Sequence, residues 1–170
     1  ASRSMRSIFY SLEMPSYEIR KRIVSAEAGV DMKDMGHQWQ SVAEVMPRVN
    51  QMDLSIVSPE DTSVKALDAF LASKDRKAVV VVDYLTLLTT EKRESRQQEV
   101  EAISRNLKRM AIKHDVAIVA LAQLSRKVEE RHHNRPTMSD LRDSGAIEQD
   151  ADVVMLLYRP EYYGIDAVEG

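Results

Sequence analysis

The chain has 170 residues, 44% hydrophobic and 30% charged, which is enough apolar material for one ordinary core and argues against disorder as the default. Its 24 basic and 27 acidic residues leave a formal charge of −3, which argues against a surface that binds polyanions over its whole extent but allows local basic patches. No cysteine is present, so disulfides, thiolate metal sites and cysteine catalysis are excluded, and no apolar run reaches the roughly 18–20 residues that span a bilayer. The expected class is a soluble intracellular globular protein forming a single domain.

In chain order, the first element is the apolar run Ser7-Ile-Phe-Tyr-Ser11, too short for a helix and read as a strand. Ser16 is placed to cap a helix carrying Ile19, Ile23 and Val24. Residues 32–52 read as two short helices, with Pro47 marking a break or kink. A second strand is expected at Leu54-Ser-Ile-Val57. A helix follows, with Val64, Leu67, Phe70 and Leu71 on one stripe. Ala78-Val-Val-Val-Val82 is a third strand. The clearest helix carries Val100, Ile103, Leu107, Met110 and Ala111, with Arg105, Lys108 and Arg109 off the stripe. Ala117-Ile-Val-Ala-Leu-Ala122 and Val153-Val-Met-Leu-Leu-Tyr158 complete the strand candidates. Runs that are apolar at consecutive positions fit strands buried on both faces of a parallel sheet. Strand alternating with helix predicts a doubly wound α/β fold.

Residues 125–139 form the longest stretch without periodicity, rich in Arg126, Lys127, Arg131, His132, His133 and Arg135. A polar loop of this length that follows a strand lies at the carboxyl edge of the sheet, where open α/β folds bind ligands. Three polar residues end strands on that same edge: Glu13, Asp83 and Gln123. An Asp after four consecutive valines has the Walker-B pattern, in which a buried strand fixes a carboxylate that holds Mg²⁺ beside a nucleotide triphosphate. A second carboxylate on a neighbouring strand can polarise an attacking water. An amide can sense a phosphate without carrying charge. Taken singly, each has a plainer reading: Asp83 as a turn cap, Glu13 as a surface charge before Pro15, and Gln123 as an uninformative polar residue.

The run Asp140-Leu-Arg-Asp-Ser-Gly-Ala-Ile-Glu-Gln-Asp150 is dense in polar groups. Arg142 is suited to a phosphate contact, and Gly145 to close approach of backbone N–H groups. The plainer alternative is a helical turn capped by Asp140 or Ser139. His132 and His133 lack a second ligand pair at zinc spacing and read as solvated loop residues; His37 and His114 read as residues at helix ends.

Together, Phe9-Tyr-Ser-Leu-Glu-Met-Pro15, Val82-Asp-Tyr-Leu85, Ile103-Ser-Arg-Asn-Leu-Lys108, Val119-Ala-Leu-Ala-Gln-Leu-Ser-Arg126 and the segment 139–158 closely resemble the motifs of the DnaB-type replicative DNA helicases, in the same order. The resemblance runs from about Ser7 to Tyr163 and is most specific over residues 140–152. It implies a RecA-like P-loop NTPase fold, a mainly parallel central sheet flanked by helices on both faces. The implied function is the ATP-driven motor of a ring homohexamer that translocates on single-stranded DNA and unwinds duplex. Carried over residue by residue, Glu13 is the base that activates water. Asp83 is the Walker-B carboxylate near Mg²⁺, and Gln123 couples the state of the ATP γ-phosphate to DNA loops. Arg142, Asp143 and Gly145 fall where the family contacts the DNA backbone. The implied setting is the bacterial cytoplasm, for a host or phage protein without membrane attachment, with a primase and a helicase loader as partners of the full-length protein. A RecA-like recombination or regulatory ATPase shares the sheet and the Walker-B Asp and is the alternative enzyme.

The chain departs from the family pattern at one important point. Ala1, Ser2, Arg3, Ser4 and Met5 match the opening of the family's phosphate-binding Walker A loop, but Arg6 and the first strand follow at once. No Gly-Lys pair occurs anywhere in the sequence. We therefore expect the sequence to join two segments of a longer natural chain between Met5 and Arg6. If the deletion is genuine, a non-catalytic oligomerisation or partner-docking module becomes the alternative function. The family's arginine finger lies beyond the last matched strand, so none is assigned. The domain that docks primase in the family is expected outside these residues.

Overall fold

The computed structural model of the chain describes residues 6–74, 77–131, 134–141 and 145–164. Four strands, β1 (Arg6–Ser11), β2 (Leu54–Val57), β3 (Ala78–Asp83) and β4 (Ala117–Ala120), form one sheet in the order β2-β1-β3-β4. Every pair is parallel, and the register sets Tyr10 beside Val57 on one side and Val82 on the other, with Val82 beside Ala120.

The connections are α1 (Ser16–Ala28) and α2 (Trp39–Gln51) from β1 to β2, α3 (Val64–Ala72) from β2 to β3, and α4 (Arg96–His114) from β3 to β4. The step from β1 to β2 crosses the sheet in the direction opposite to the two later steps. Right-handed crossovers therefore place α1 and α2 on one face and α3 and α4 on the other. The expected parallel sheet with helices on both faces is what forms.

The face under α3 and α4 is the core. Ile8, Tyr10, Val80 and Val82 are at most 1% exposed and pack with Leu67, Leu71, Val100, Ile103 and Leu107 from the two helices. Burying each of these branched side chains stabilises the fold by roughly 1.5–3 kcal/mol. Both helices are capped as their sequences dictate. The Ser63 hydroxyl accepts from Ala66 N at 3.1 Å, and the Ser95 hydroxyl from Gln98 N at 3.3 Å. At the far end of α4, Lys113 Nζ and His114 Nε2 reach Asp68 on α3 at 2.8 and 2.7 Å, pinning the helix pair.

The opposite face is less covered. Burial along β3 alternates, so Val79 and Val81 are only half-buried although the unbroken valine run predicts burial on both sides. The reason is topological: α1 packs against α2 and β2, toward one edge of the sheet, instead of over its centre.

Three local expectations are corrected. Ser16 is the first residue of α1 and not its cap; Pro15 holds the cap position, with its φ of −60° already suited to a helix start and no side-chain bond. Residues 32–38 form turns in place of a first helix, and α2 continues through Pro47. Its stripe of Val42, Val45, Met46 and Val49, spaced for one helical face, runs past the proline on both sides, so burial there outweighs one missing N–H bond. The run Val153–Tyr158 is not a strand: Val153, Met155 and Leu157 are 75%, 73% and 86% exposed, and the ladder ends at β4 among the described residues. A run of apolar residues specifies burial but not a hydrogen-bonding neighbour. Asp152, at its start, is instead tied to Lys108 of α4 at 2.5 Å.

Among the described residues no helix is long and apolar enough to cross a membrane.

Candidate functional site

The carboxyl edge of the sheet is built by backbone register. Ser11 of β1 pairs with Asp83 of β3, and Leu12 N donates to Asp83 O at 2.8 Å. On the other side of β3, Leu121 N donates to Val82 O at 3.0 Å and Leu85 N to Leu121 O at 2.8 Å. Ser11, Asp83 and Leu121 thus stand level. Glu13 lies two residues beyond this level on one flanking chain and Gln123 two residues beyond it on the other. Each flank is one strand spacing, about 4.8 Å, from the strand that carries Asp83. The three residues singled out by sequence are brought to one edge, with Asp83 in the middle.

Each is held differently. Asp83 is half-buried and belongs to the alternate set with Val79 and Val81, facing away from α3 and α4. The peptide that follows it, Asp83–Tyr84, is cis. Glu13 is exposed at the tip of a turn whose lock is Ser11. The Ser11 hydroxyl is 2% exposed, donates to Met14 O at 2.7 Å and accepts from Met14 N at 3.1 Å. Ser58, just past β2, donates to the same carbonyl at 3.1 Å. Sequence reasoning overlooked Ser11 and Ser58; the available signal was a serine ending a strand three residues before a turn peptide. Gln123 is exposed just past β4.

Chemically, the edge offers a water-accessible carboxylate, a carboxylate fixed by the sheet and a neutral amide. Among the described residues no group of three or more His, Asp or Glu side chains gathers to cage a metal. Asp83 is a single hard oxygen donor, the donor set that suits Mg²⁺ shared with phosphate oxygens.

The remaining sequence candidates divide. Ala1, Ser2, Arg3, Ser4, Met5, Arg142, Asp143, His132 and His133 lie outside the described residues, as does the junction of Met5 with Arg6. Gly145 opens a short helix, α5 (Gly145–Asp150), and a Cβ there would meet nothing within 4 Å, so packing among the described atoms does not demand glycine. His114 is at a helix end, as expected, and is paired with Asp68.

The loop after Gln123 is more ordered than its polarity suggests. It carries two 3-10 turns, Arg126–Glu130 and Met138–Asp140. Asp140 closes the Met138–Asp140 turn, its carboxylate accepting from Thr137 N at 2.7 Å. It is buried within the loop, and the Arg131 guanidinium beside it holds its carboxyl below the ordinary carboxylate range. A shallow groove of about 250 Å³ beside this loop is lined partly by Tyr158, Tyr162 and Tyr163, with Arg135 over the Tyr158 ring at 5.7 Å. The repeated tyrosines in Tyr-Arg-Pro-Glu-Tyr-Tyr, residues 158–163, were its unread signal.

Residues 1–169 match the family model of the DnaB-like helicase C-terminal domain. The replicative DNA helicase DnaB of Mycobacterium leprae is 42% identical over 176 residues, a match that takes in 98% of this chain and 29% of that protein. A solved DnaB-like replicative helicase, described with its interactions with primase, superposes with a TM-score of 0.88 at 31% identity over 98% of this chain and 43% of its own. A solved ATPase domain gives a TM-score of 0.87 at 32% identity, covering 96% of this chain and 62% of its own. The fold is thus RecA-like, and the chain spans less than a third of the length of the mycobacterial relative. The chain belongs to the DnaB-like helicase C-terminal domain family.

Proposed function

We propose that this domain is the ATP-hydrolysing motor of a replicative DNA helicase. The observation that carries this reading is the register that sets Glu13, Asp83 and Gln123 on three neighbouring strand ends. In it, the Glu13 carboxylate takes a proton from the water that attacks the γ-phosphate, and its exposure on a locked turn suits that role. Asp83 holds Mg²⁺, which neutralises charge on the phosphate oxygens when bound. The Gln123 amide, two residues before the polar loop, reads the presence of the γ-phosphate. Ala1, Ser2, Arg3, Ser4 and Met5 belong to the phosphate loop in this reading. Cradling of the phosphates further requires the Gly-Lys-Thr that the sequence lacks after Met5.

Arg142, Asp143 and Gly145 are assigned to the single-stranded DNA backbone, a contact that makes binding independent of sequence and sensitive to salt. We further propose a ring homohexamer acting in the cytoplasm, with primase and a loader as partners of the full-length protein. The direct experiment measures ATP hydrolysis and duplex unwinding by the full-length protein with and without single-stranded DNA. Stimulated hydrolysis with unwinding is the expected result. Failure of the natural full-length protein to bind nucleotide would replace this reading with the non-catalytic one.

A further inference from the structure

We infer that Arg131 and Asp140 form a clamp that positions the polar loop and thereby holds Leu141 in fixed relation to Gln123; this rests on the motor reading above. Asp140 is 2% exposed, and its carboxylate is bonded by Arg131 and Thr137 of the loop. Arg131 Nη1 donates to Oδ2 at 2.6 Å and Nη2 to Oδ1 at 2.5 Å, the two-pronged geometry that a guanidinium and a carboxylate share. Thr137 adds its backbone N–H at 2.7 Å and its hydroxyl at 3.0 Å, both to Oδ2. The remaining reach of Arg131 Nη1 goes to Thr137 Oγ1 at 3.1 Å and Arg135 O at 3.3 Å. One arginine therefore ties residues 135, 137 and 140, from the middle to the end of the loop, around one carboxylate.

The clamp closes the loop directly beside the site. Ser125 N donates to Asp140 O at 2.7 Å, and Leu124 and Leu141 form an antiparallel bridge. Gln123 immediately precedes Leu124, so the neighbour of the residue assigned to sense phosphate and the residue preceding Arg142 are fastened across one rung. Apolar packing cannot do this fastening, because Val128 is the only buried apolar side chain between residues 121 and 164 among those described. Without Arg131 a buried carboxylate loses its charged partner. Arg131 and Asp140 are thus positioning residues that couple a shift at Gln123 to Leu141.

The test compares wild-type full-length protein with Arg131→Ala and Arg131→Lys. Hydrolysis is measured with and without single-stranded DNA, and amide hydrogen exchange is followed at Ser125 and Leu141. In Arg131→Ala, DNA stimulation of kcat is expected to fall by about tenfold, while basal kcat and the KM for ATP stay at wild-type values and exchange at Ser125 speeds up. Arg131→Lys keeps the charge, loses the second prong and should fall between the two, which keeps the proposal testable if the alanine variant does not fold. Unchanged stimulation together with unchanged exchange in both variants overturns the clamp. Equal loss of basal and stimulated rates also overturns it, because a general structural role would then suffice. Absence of stimulation in the wild-type protein instead overturns the motor reading, and the exchange measurement still decides whether the clamp exists.

Discussion

The layer made by β1, β3, α3 and α4 and the segment that follows β4 meet at the same sheet edge, yet they are fixed by different forces. In the layer, Ile8, Val80, Val82, Leu67 and Ile103 are almost fully buried and interchangeable in kind, since any well-filling apolar side chain satisfies the requirement. Beyond β4, one valine and one carboxylate are buried among the described residues, and the carboxylate is satisfied by Arg131 and Thr137. Apolar burial is non-directional and sets where strands lie. Charge-assisted hydrogen bonds are directional and set where individual groups point. A site that must report the state of a ligand to a distant segment gains from the second kind of fastening, since a defined bond either holds or breaks.

The largest break in this contrast comes from emptying the layer. Leu67→Ala removes a side chain with 0% exposure and should cost about 2–5 kcal/mol, read as a lower midpoint of chemical unfolding. A smaller effect is expected at the edge itself. Ser11→Ala strips both bonds from Met14 and should cost about 1–3 kcal/mol, with kcat falling further than stability alone explains because the turn bearing Glu13 loosens. A wild-type kcat in Ser11→Ala would show that the turn needs no lock.

The smallest effect is electrostatic, and a variant of one carboxylate separates the two regions. Asp68, bonded to Lys113 and His114, and Asp140, bonded to Arg131, both have carboxyls held below their ordinary value of 3.8. A carboxylate depressed in the folded state contributes stability that is complete above its unfolded value and is lost as pH falls through the folded one. Stability should therefore be level from about pH 5 to 7 in these groups and decline below about pH 4. Asp68→Asn should flatten part of that decline while leaving the loop's exchange rates unchanged. A decline of wild-type slope in Asp68→Asn would remove that pair from the explanation.

How much of this could be read from sequence follows the same division. The strand at Ala78–Val82, the stripe on α4 and the three strand-end residues were legible in position, because period and apolar runs are written directly in residue order, although the valine run over-read burial on the face away from α3 and α4. Pro47 misled because its local rule yields to a helix stripe that continues on both sides. Val153–Tyr158 misled because apolarity does not encode a pairing partner. The Arg131–Asp140 fork was invisible: nine residues separate the partners, no periodicity links them, and a buried Asp in a polar stretch looks like a solvated one. The serine lock at Ser11 was missed, since residue order does not show whether a serine ending a strand buries its hydroxyl against the next turn.

The assignment of the carboxyl edge as a hydrolytic site is tested most directly by Glu13→Gln in the full-length protein, with single-stranded DNA saturating. The substitution keeps size and turn geometry while removing the proton acceptor. Hydrolysis should fall by about 10²–10⁴-fold with nucleotide affinity retained. A rate within twofold of wild type, with the turn intact, would contradict the role given to this edge.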